Sequence, residues 1–362
     1  MSDRKLREII KSQGPLTFAS FMELVLYHPE YGYYNSEHPI LGKDGDFYTS
    51  VHVSSLFGEM ITEQLIEMAG LLKGPILQLV EYGAGKGFLA YDILMTMEKK
   101  FPDIFAQTIY YIIEAGMGLR KKQQNLLEKY RDKVRWINSL DQVDKPFRGC
   151  ILSNELVDAF PVHAVIYSQG ILKEIYVECT DCGLREIIGP LSNSMLGEYF
   201  PLFKVELEEG QRGEVNLASR NWLKEIGNNL DQGFVITLDY GYEAPLLYHP
   251  VRKDGTIMCY KKHKSGENPY INLGEQDITA HVNFTALKRW GEEFGLATTG
   301  FTNQMHFLFN LGIVAELAKS PDKVFAAQQL LNPEGMGGIF KVLIQHKGVE
   351  CTQLLKGLRE KV

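Results

Sequence analysis

Residues 75–90, PILQLVEYGAGKGFLA, constrain the fold of this chain more than any other stretch. Ile76–Val80 is a short apolar run of the kind that forms a strand buried on both faces. Glu81 leads from it into Gly83, Gly85 and Gly87, and Phe88–Met97 carries apolar residues at helical spacing. Strand, glycine turn and helix in that order make the first βα unit of a doubly wound, mostly parallel α/β sheet. A ligand of such a sheet lies at the carboxyl end of the strand, where glycines let the backbone approach it.

The turn departs from the dinucleotide pattern. G-x-G-x-x-G offers backbone and a helix N-terminus to a pyrophosphate. Here the third glycine comes one residue early, and Phe88 stands in its place. Glu81, just ahead of the turn, would repel phosphate. E-x-G-x-G-x-G suits a cofactor with positive charge and no phosphate, and S-adenosylmethionine, with its sulfonium and α-ammonium, is such a cofactor. A glycine turn also occurs as mere structure, so its neighbours in the sheet have to decide.

Those neighbours carry the right groups. Thr108–Ile113 is predicted as a second strand ending in Glu114, the place from which a carboxylate binds a ribose diol through two hydrogen bonds. Val134–Ile137 is a short third strand, and the residues after it, Ser139 and Leu140, are positional candidates for contact with adenine. Cys150–Ser153 is a fourth strand, which pairs beside the first across the switch point, so its carboxyl end faces the reactive part of the ligand. Asn154, Glu155 and Asp158 lie there. They supply an amide and two carboxylates, unless Asp158 merely caps a short helix and Glu155 is solvated. Gly233–Leu238 is a fifth strand, followed by Asp239 and Tyr240 as substrate-side candidates, and Ile339–Gln345 is a final strand.

Outside this core, residues 3–12 and Thr17–Leu26 are predicted helices, and Tyr31, Tyr33 and Tyr34 are either packing or a π-surface for the cofactor. The loop at 42–50 precedes a helix at Ser54–Ala69. Its Thr49 and Ser50 would close over a ligand, or the loop is a solvated connector. HAVIYS, ILKEIYVEC and FKVELEEG between 162 and 215 are β-rich and look like an inserted antiparallel set. Residues 243–282 are mostly irregular, as in a functional lid. They lead to His281, a substrate-binding or structural histidine, and to Asn283, a credible N-cap for a helix at 284–294. The division expected is an N-terminal helical and closing segment (1–70), a core (71–160, 216–242 and 284–348), a β-rich insertion (161–215) and lid loops (243–283).

At 362 residues the chain exceeds a usual single domain, so a second lobe is expected. The net charge of -7 disfavours nucleic acid as the main partner. Five cysteines make no disulfide framework, and an odd number fits a reducing compartment. Cys179 and Cys182 form a C-x-x-C, but with no second pair at ligand spacing no metal is expected. The N-terminus lacks an apolar h-region and transit character, and no run approaches the ~20 apolar residues that cross a bilayer. A cytoplasmic protein without membrane insertion is expected, mitochondrial only if a transit peptide is missing from this chain. The oligomeric state stays open.

The chain resembles the MidA-like family, which includes a mitochondrial complex I assembly factor regarded as a protein arginine methyltransferase. The stretches that carry this are GPLTFASFMELVLYHPEYGYY, GDFYTS, EYGAGKG, LRKKQ, SNELVDAFPVHAV, LDYGY, GTIMCYKKH, GEQDITAHVNFTAL, FTNQMHFLFNLGI and GGIFKVL, in order along nearly the whole chain. The resemblance implies a class I S-adenosylmethionine-dependent methyltransferase fold (Rossmann-like) with a substrate-side insertion. It implies cofactor contact at Gly83, Gly85, Gly87 and Glu114, and roles near the methyl group for Asn154 and Glu155. Its implied acceptor is an arginine of a protein substrate, such as a respiratory-complex subunit. Because a guanidinium stays protonated in water, carboxylates must orient it and take its proton. Glu155 is the first candidate, Asp158 the second and His281 an outlying one. The competing expectation is a non-catalytic scaffold of the same fold that grips a partner protein. The family often has Pro-Glu where this chain has Val51-His52, and Asp where it has Asn283, which keeps a cap but drops a charge. Tyr82 and Ala84 are unusual choices in the turn.

Overall fold

The computed structural model describes residues 2–35, 54–74, 77–261, 264–351 and 353–359. The chain forms two compact units. One consists of Tyr48–Leu156, Leu223–Tyr240 and Lys288–Val362, the other of Met1–Phe47, Val157–Trp222 and Gly241–Leu287.

The first unit is built on a twisted sheet of β1 (Leu77–Tyr82), β2 (Thr108–Ile113), β3 (Val134–Ile137), β4 (Arg148–Asn154), β5 (Gln232–Tyr242), β6 (Ala297–Asn303) and β7 (Phe340–Lys347). Their order is β6-β7-β5-β4-β1-β2-β3. The pairs among β1 to β5 are parallel, whereas β7 is antiparallel to both β5 and β6. The direction of winding reverses between β1 and β4, which pair with Glu81 opposite Leu152 and Tyr82 opposite Ser153. In sheets of this kind ligands bind outside the carboxyl ends of the strands that flank such a reversal. The doubly wound sheet expected from the glycine turn is therefore the one observed.

Every residue of β1 is buried, as a strand covered on both faces requires. The helix that follows, Phe88–Lys100, buries Leu89, Ala90, Ile93, Leu94 and Met97 on one stripe and places Lys99 and Lys100 in its last turn, where they complement its dipole. Leu79, Ile112, Leu152, Ile236 and Val342 meet this stripe in one core, each burial being worth about 2 kcal/mol.

The second unit has its own core of Phe18, Phe21, Met22, Val25, Tyr33, Val177 and Ile278. The helices Ser2–Gln13 and Phe18–Tyr27 pack there, the latter capped by the Thr17 hydroxyl, which accepts from the Ser20 N–H at 3.1 Å. Strands at Leu16–Thr17, His163–Ser168, Ile171–Thr180, Gly183–Gly189 and Arg212–Val215 form an antiparallel sheet. Tyr33 is core, and Tyr34 donates to the Asp277 carboxylate at 2.9 Å, so this part of the tyrosine cluster packs within its own unit.

Some local expectations differ from what forms. FKVELEEG is not a strand: helix Ser194–Leu202 ends there, the Phe203 and Val205 N–H groups turn back to Phe200, and Lys204 takes a positive φ. Arg212–Val215 takes up the pairing instead. Residues 243–282 are not irregular throughout, since Met258–Lys261, Lys264–Gly266 and Asp277–Thr279 make a small antiparallel sheet. After β6, which lies outside the strands expected from the sequence, two helices, Gln304–Leu311 and Ile313–Leu317, are parted at Gly312.

Candidate active site

The glycine turn carries left-handed backbone at Gly83 (φ +65), Gly85 (φ +56) and Gly87 (φ +88). A Cβ at Gly83 would also lie 2.8 Å from Leu156 Cδ1. The turn is thus bare backbone at the carboxyl end of β1, a cradle that side chains would strain and fill. Ala84 packs into the core beneath it.

Two carboxylates flank the cradle. Glu81 is buried and accepts from the Tyr110 hydroxyl at 2.8 Å. Burial pushes its pKa up to about 7; the Tyr110 bond opposes the rise and the charge of Glu114 adds to it. Glu114 accepts from the Gly116 N–H at 3.0 Å and from the Gln123 amide at 3.0 Å, and burial raises its pKa as well. The same Gln123 amide donates to the Gly85 carbonyl at 2.8 Å, so Glu114 faces the turn.

After β3, Ser139 donates to Asp141, and the Leu140 N–H donates to Glu225 at 3.0 Å. Tyr82 is buried, and its hydroxyl bonds to the same Glu225. Glu225 therefore ties the end of β1 to the loop after β3, a role that its place on a distant helix concealed. Thr49 and Ser50 lie outside the described residues.

At the end of β4 the backbone does something unusual. Glu155 is a non-glycine residue with φ +52, a conformation such residues adopt rarely, in turns as well as at functional sites, and that Gln169, Lys204 and Asn272 also take here. Its N–H donates to the Leu238 carbonyl at 2.9 Å, and Asn154 donates to its carboxylate at 3.2 Å. The next N–H, of Leu156, donates to Asp239 at 3.2 Å. Asp239 is fully buried and braces this turn from β5, while Tyr240 packs edge-on against Phe340.

The remaining candidates belong to the other unit. Asp158 is buried, and its carbonyl accepts from the Ala280 N–H at 2.9 Å. The His281 N–H donates to Thr256 at 3.1 Å, and its ring lies 5.6 Å from that of Tyr242. Burial, helped by the charge of Arg252, drives the His281 pKa down to about 4, so the ring is neutral at physiological pH.

Asn283 caps helix Phe284–Glu293, accepting from the Ala286 N–H at 3.1 Å, as expected. It also donates to the Tyr199 hydroxyl at 2.8 Å; Tyr199 and Tyr248 hydroxyls meet at 3.0 Å, and Tyr248 donates to the Glu214 carbonyl at 2.7 Å. Each hydroxyl has one proton, so this relay needs an amide at its head. Asn283→Asp is expected to keep the cap yet destabilise the protein by about 1–3 kcal/mol, since one buried bond loses its proton. Urea unfolding at neutral pH checks this, and an unchanged midpoint would rule the relay out as a source of stability.

Known proteins resemble this chain in sequence and in fold. A family model described as "Putative S-adenosyl-L-methionine-dependent methyltransferase" matches residues 60–302, well over half of the 362. The chain belongs to that methyltransferase family. Its cofactor is accordingly S-adenosylmethionine, and the cradle fits it: bare backbone, no phosphate-type spacing, and two carboxylates beside it. A crystal structure from Burkholderia thailandensis, described as a "likely methyl transferase" bound to S-adenosyl-homocysteine, superposes with a TM-score of 0.88 at 26% identity, covering 98% of this chain and 95% of that one. Among curated proteins, "Protein arginine methyltransferase NDUFAF7 homolog, mitochondrial" of Drosophila melanogaster is 27% identical over 98% of this chain and 86% of its own length. "Protein arginine methyltransferase NDUFAF7, mitochondrial" of Homo sapiens is 28% identical over 99% and 86%. The MidA-like resemblance is thus upheld. The mitochondrial names of these relatives lend no support to the cytoplasmic location expected from the N-terminus. Among the described residues no helix is long and apolar enough to cross a membrane.

Proposed function

We propose that this methyltransferase modifies an arginine nitrogen of a protein, with Glu155 as the group that orients the guanidinium and takes its proton. The observation that carries the reading is the left-handed backbone of Glu155, held at the carboxyl end of β4 beside the switch point. When bound, the cofactor supplies an electrophilic methyl on its sulfonium. The new C–N bond forms as the C–S bond breaks, and the proton displaced from nitrogen passes to the Glu155 carboxylate. Asn154 holds that carboxylate by its amide, so that alignment, worth several orders of magnitude in rate, precedes proton transfer. Asp239 keeps the turn in place through the Leu156 N–H.

Support for a protein arginine as acceptor comes from the names of the curated relatives. The insertion at 161–215 and the stretch at 243–283, with Asp158 and His281, are proposed as the substrate side. A subunit of a respiratory complex is the proposed class of partner.

Incubating the protein with methyl-labelled cofactor and a lysate tests the reading. A labelled polypeptide that yields methylarginine on hydrolysis is the expected result. Label recovered only in small molecules, or in another amino acid, would overturn it.

A further inference from the structure

Gln123 lies on helix Met117–Leu126 and is completely buried. Three of the four hydrogen-bonding capacities of its amide are engaged. Nε2 donates one hydrogen to the Gly85 carbonyl at 2.8 Å and the other to Glu114 Oε2 at 3.0 Å, while Oε1 accepts from Trp136 Nε1 at 2.9 Å. Chemistry alone fixes this orientation. An indole N–H only donates, and a carbonyl and a carboxylate only accept, so a flipped amide would face three mismatched partners. The helix sits so close to the turn that a Cβ at Gly87 would lie 3.3 Å from Gln123 Cγ.

The other oxygen of Glu114 is held by the Gly116 N–H. Both oxygens are therefore fixed, and the Gly85 and Ala115 N–H groups bond to the carboxylate as well. We infer that Gln123 is a positioning residue that locks Glu114 to the glycine turn, and so sets how sharply the protein recognises the ribose diol of its cofactor. This rests on the reading of Glu114 as the ribose carboxylate. Without Gln123, the Glu114 carboxylate keeps its backbone donors, Gly116, Gly85 and Ala115, but loses its side-chain donor, and the Gly85 carbonyl loses the amide that bonds it. The bridge that joins the carboxylate to the Gly85 carbonyl is then missing, and the carboxylate is held at the turn by backbone N–H groups alone.

Calorimetric binding of S-adenosylhomocysteine and of its 2′-deoxy analogue, to wild type and to Gln123→Met, separates this from a merely structural role. Methionine keeps length and bulk but offers no donor. Wild type should prefer the diol by about tenfold or more, as a hydrogen bond to a charged group predicts. In Gln123→Met that preference should fall to roughly threefold or less, mainly through weaker binding of the diol form. Trp136→Phe, which removes the N–H that orients the amide together with part of the ring, should move the ratio the same way and decides the matter should Gln123→Met not fold by circular dichroism. A wild-type ratio retained in the folded variants overturns the inference even where overall affinity drops. Failure of wild type itself to bind S-adenosylhomocysteine, or to distinguish the two ligands, would instead bring down the ribose reading and the inference with it.

Discussion

Replacing Glu155 by glycine is expected to abolish methyl transfer while leaving the fold about as stable as before. At φ +52 the Glu155 backbone sits where an L-residue costs roughly 1–2 kcal/mol. Glycine removes that cost and in return loses about 0.5–1 kcal/mol to the entropy of the unfolded chain. The two nearly cancel, so thermal melts of Glu155→Gly should lie within a few degrees of wild type. Turnover behaves differently. A positioned proton acceptor contributes about 10²–10⁴-fold, and a loss of that size should appear in single-turnover transfer to the labelled substrate. Glu155→Gln should lose as much while binding S-adenosylhomocysteine normally. Full turnover in the glutamine variant would remove Glu155 from the mechanism. A glycine variant that melts far below wild type would show that the residue is there for structure.

The second large effect concerns pH. Glu81 in the folded protein titrates at about 7, against an ordinary value of 4.5, chiefly through burial. Between those values the folded state holds a proton that the unfolded state has released. Stability therefore falls as pH rises from 4.5 to 7 and is flat above, by on the order of 3 kcal/mol if Glu81 acts alone. Asp92 is also pushed up to about 7, by burial and by the charge of Glu59, so the total profile contains both groups. The difference between wild type and Glu81→Gln isolates the first. A cationic ligand in the cradle reverses the preference of Glu81 and favours its carboxylate. Affinity for S-adenosylmethionine should therefore rise with pH up to about 7, with a proton released on binding, and Glu81→Gln should show neither. Calorimetry in two buffers of different ionisation enthalpy counts the proton. A wild-type affinity that does not change between about pH 5 and 8 would place Glu81 outside the binding equilibrium.

Much of the first unit was legible because burial on both faces writes an unbroken apolar run, and because the glycine turn admits few alternatives. Glu81, Glu114 and the end of β4 could be placed from strand order alone. What the sequence concealed has a common cause, which is dependence on distant partners. Gln123 sits in LRKKQ like any polar helical residue, and only the fold brings Gly85, Glu114 and Trp136 to its amide. Glu225 is equally silent until Tyr82 and Leu140 meet it. The alternation in FKVELEEG misled in another way: its β-rich character was outweighed by the closing bonds of the helix before it. Asp239 reads as a site residue from its place after a strand, yet it is wholly buried and receives backbone N–H groups.

The antiparallel strand β7 lies between β5 and β6 although it is the last strand among the described residues. On the ribosome, β5 is made about a hundred residues before the partner that covers its outer edge, since residues 340–347 pair with 233–240. A nascent polypeptide halted short of that partner would carry an open row of backbone donors and acceptors on an apolar strand, the template from which intermolecular pairing starts. Premature termination near the 3′ end of the message should therefore yield inclusion bodies, not a shortened enzyme.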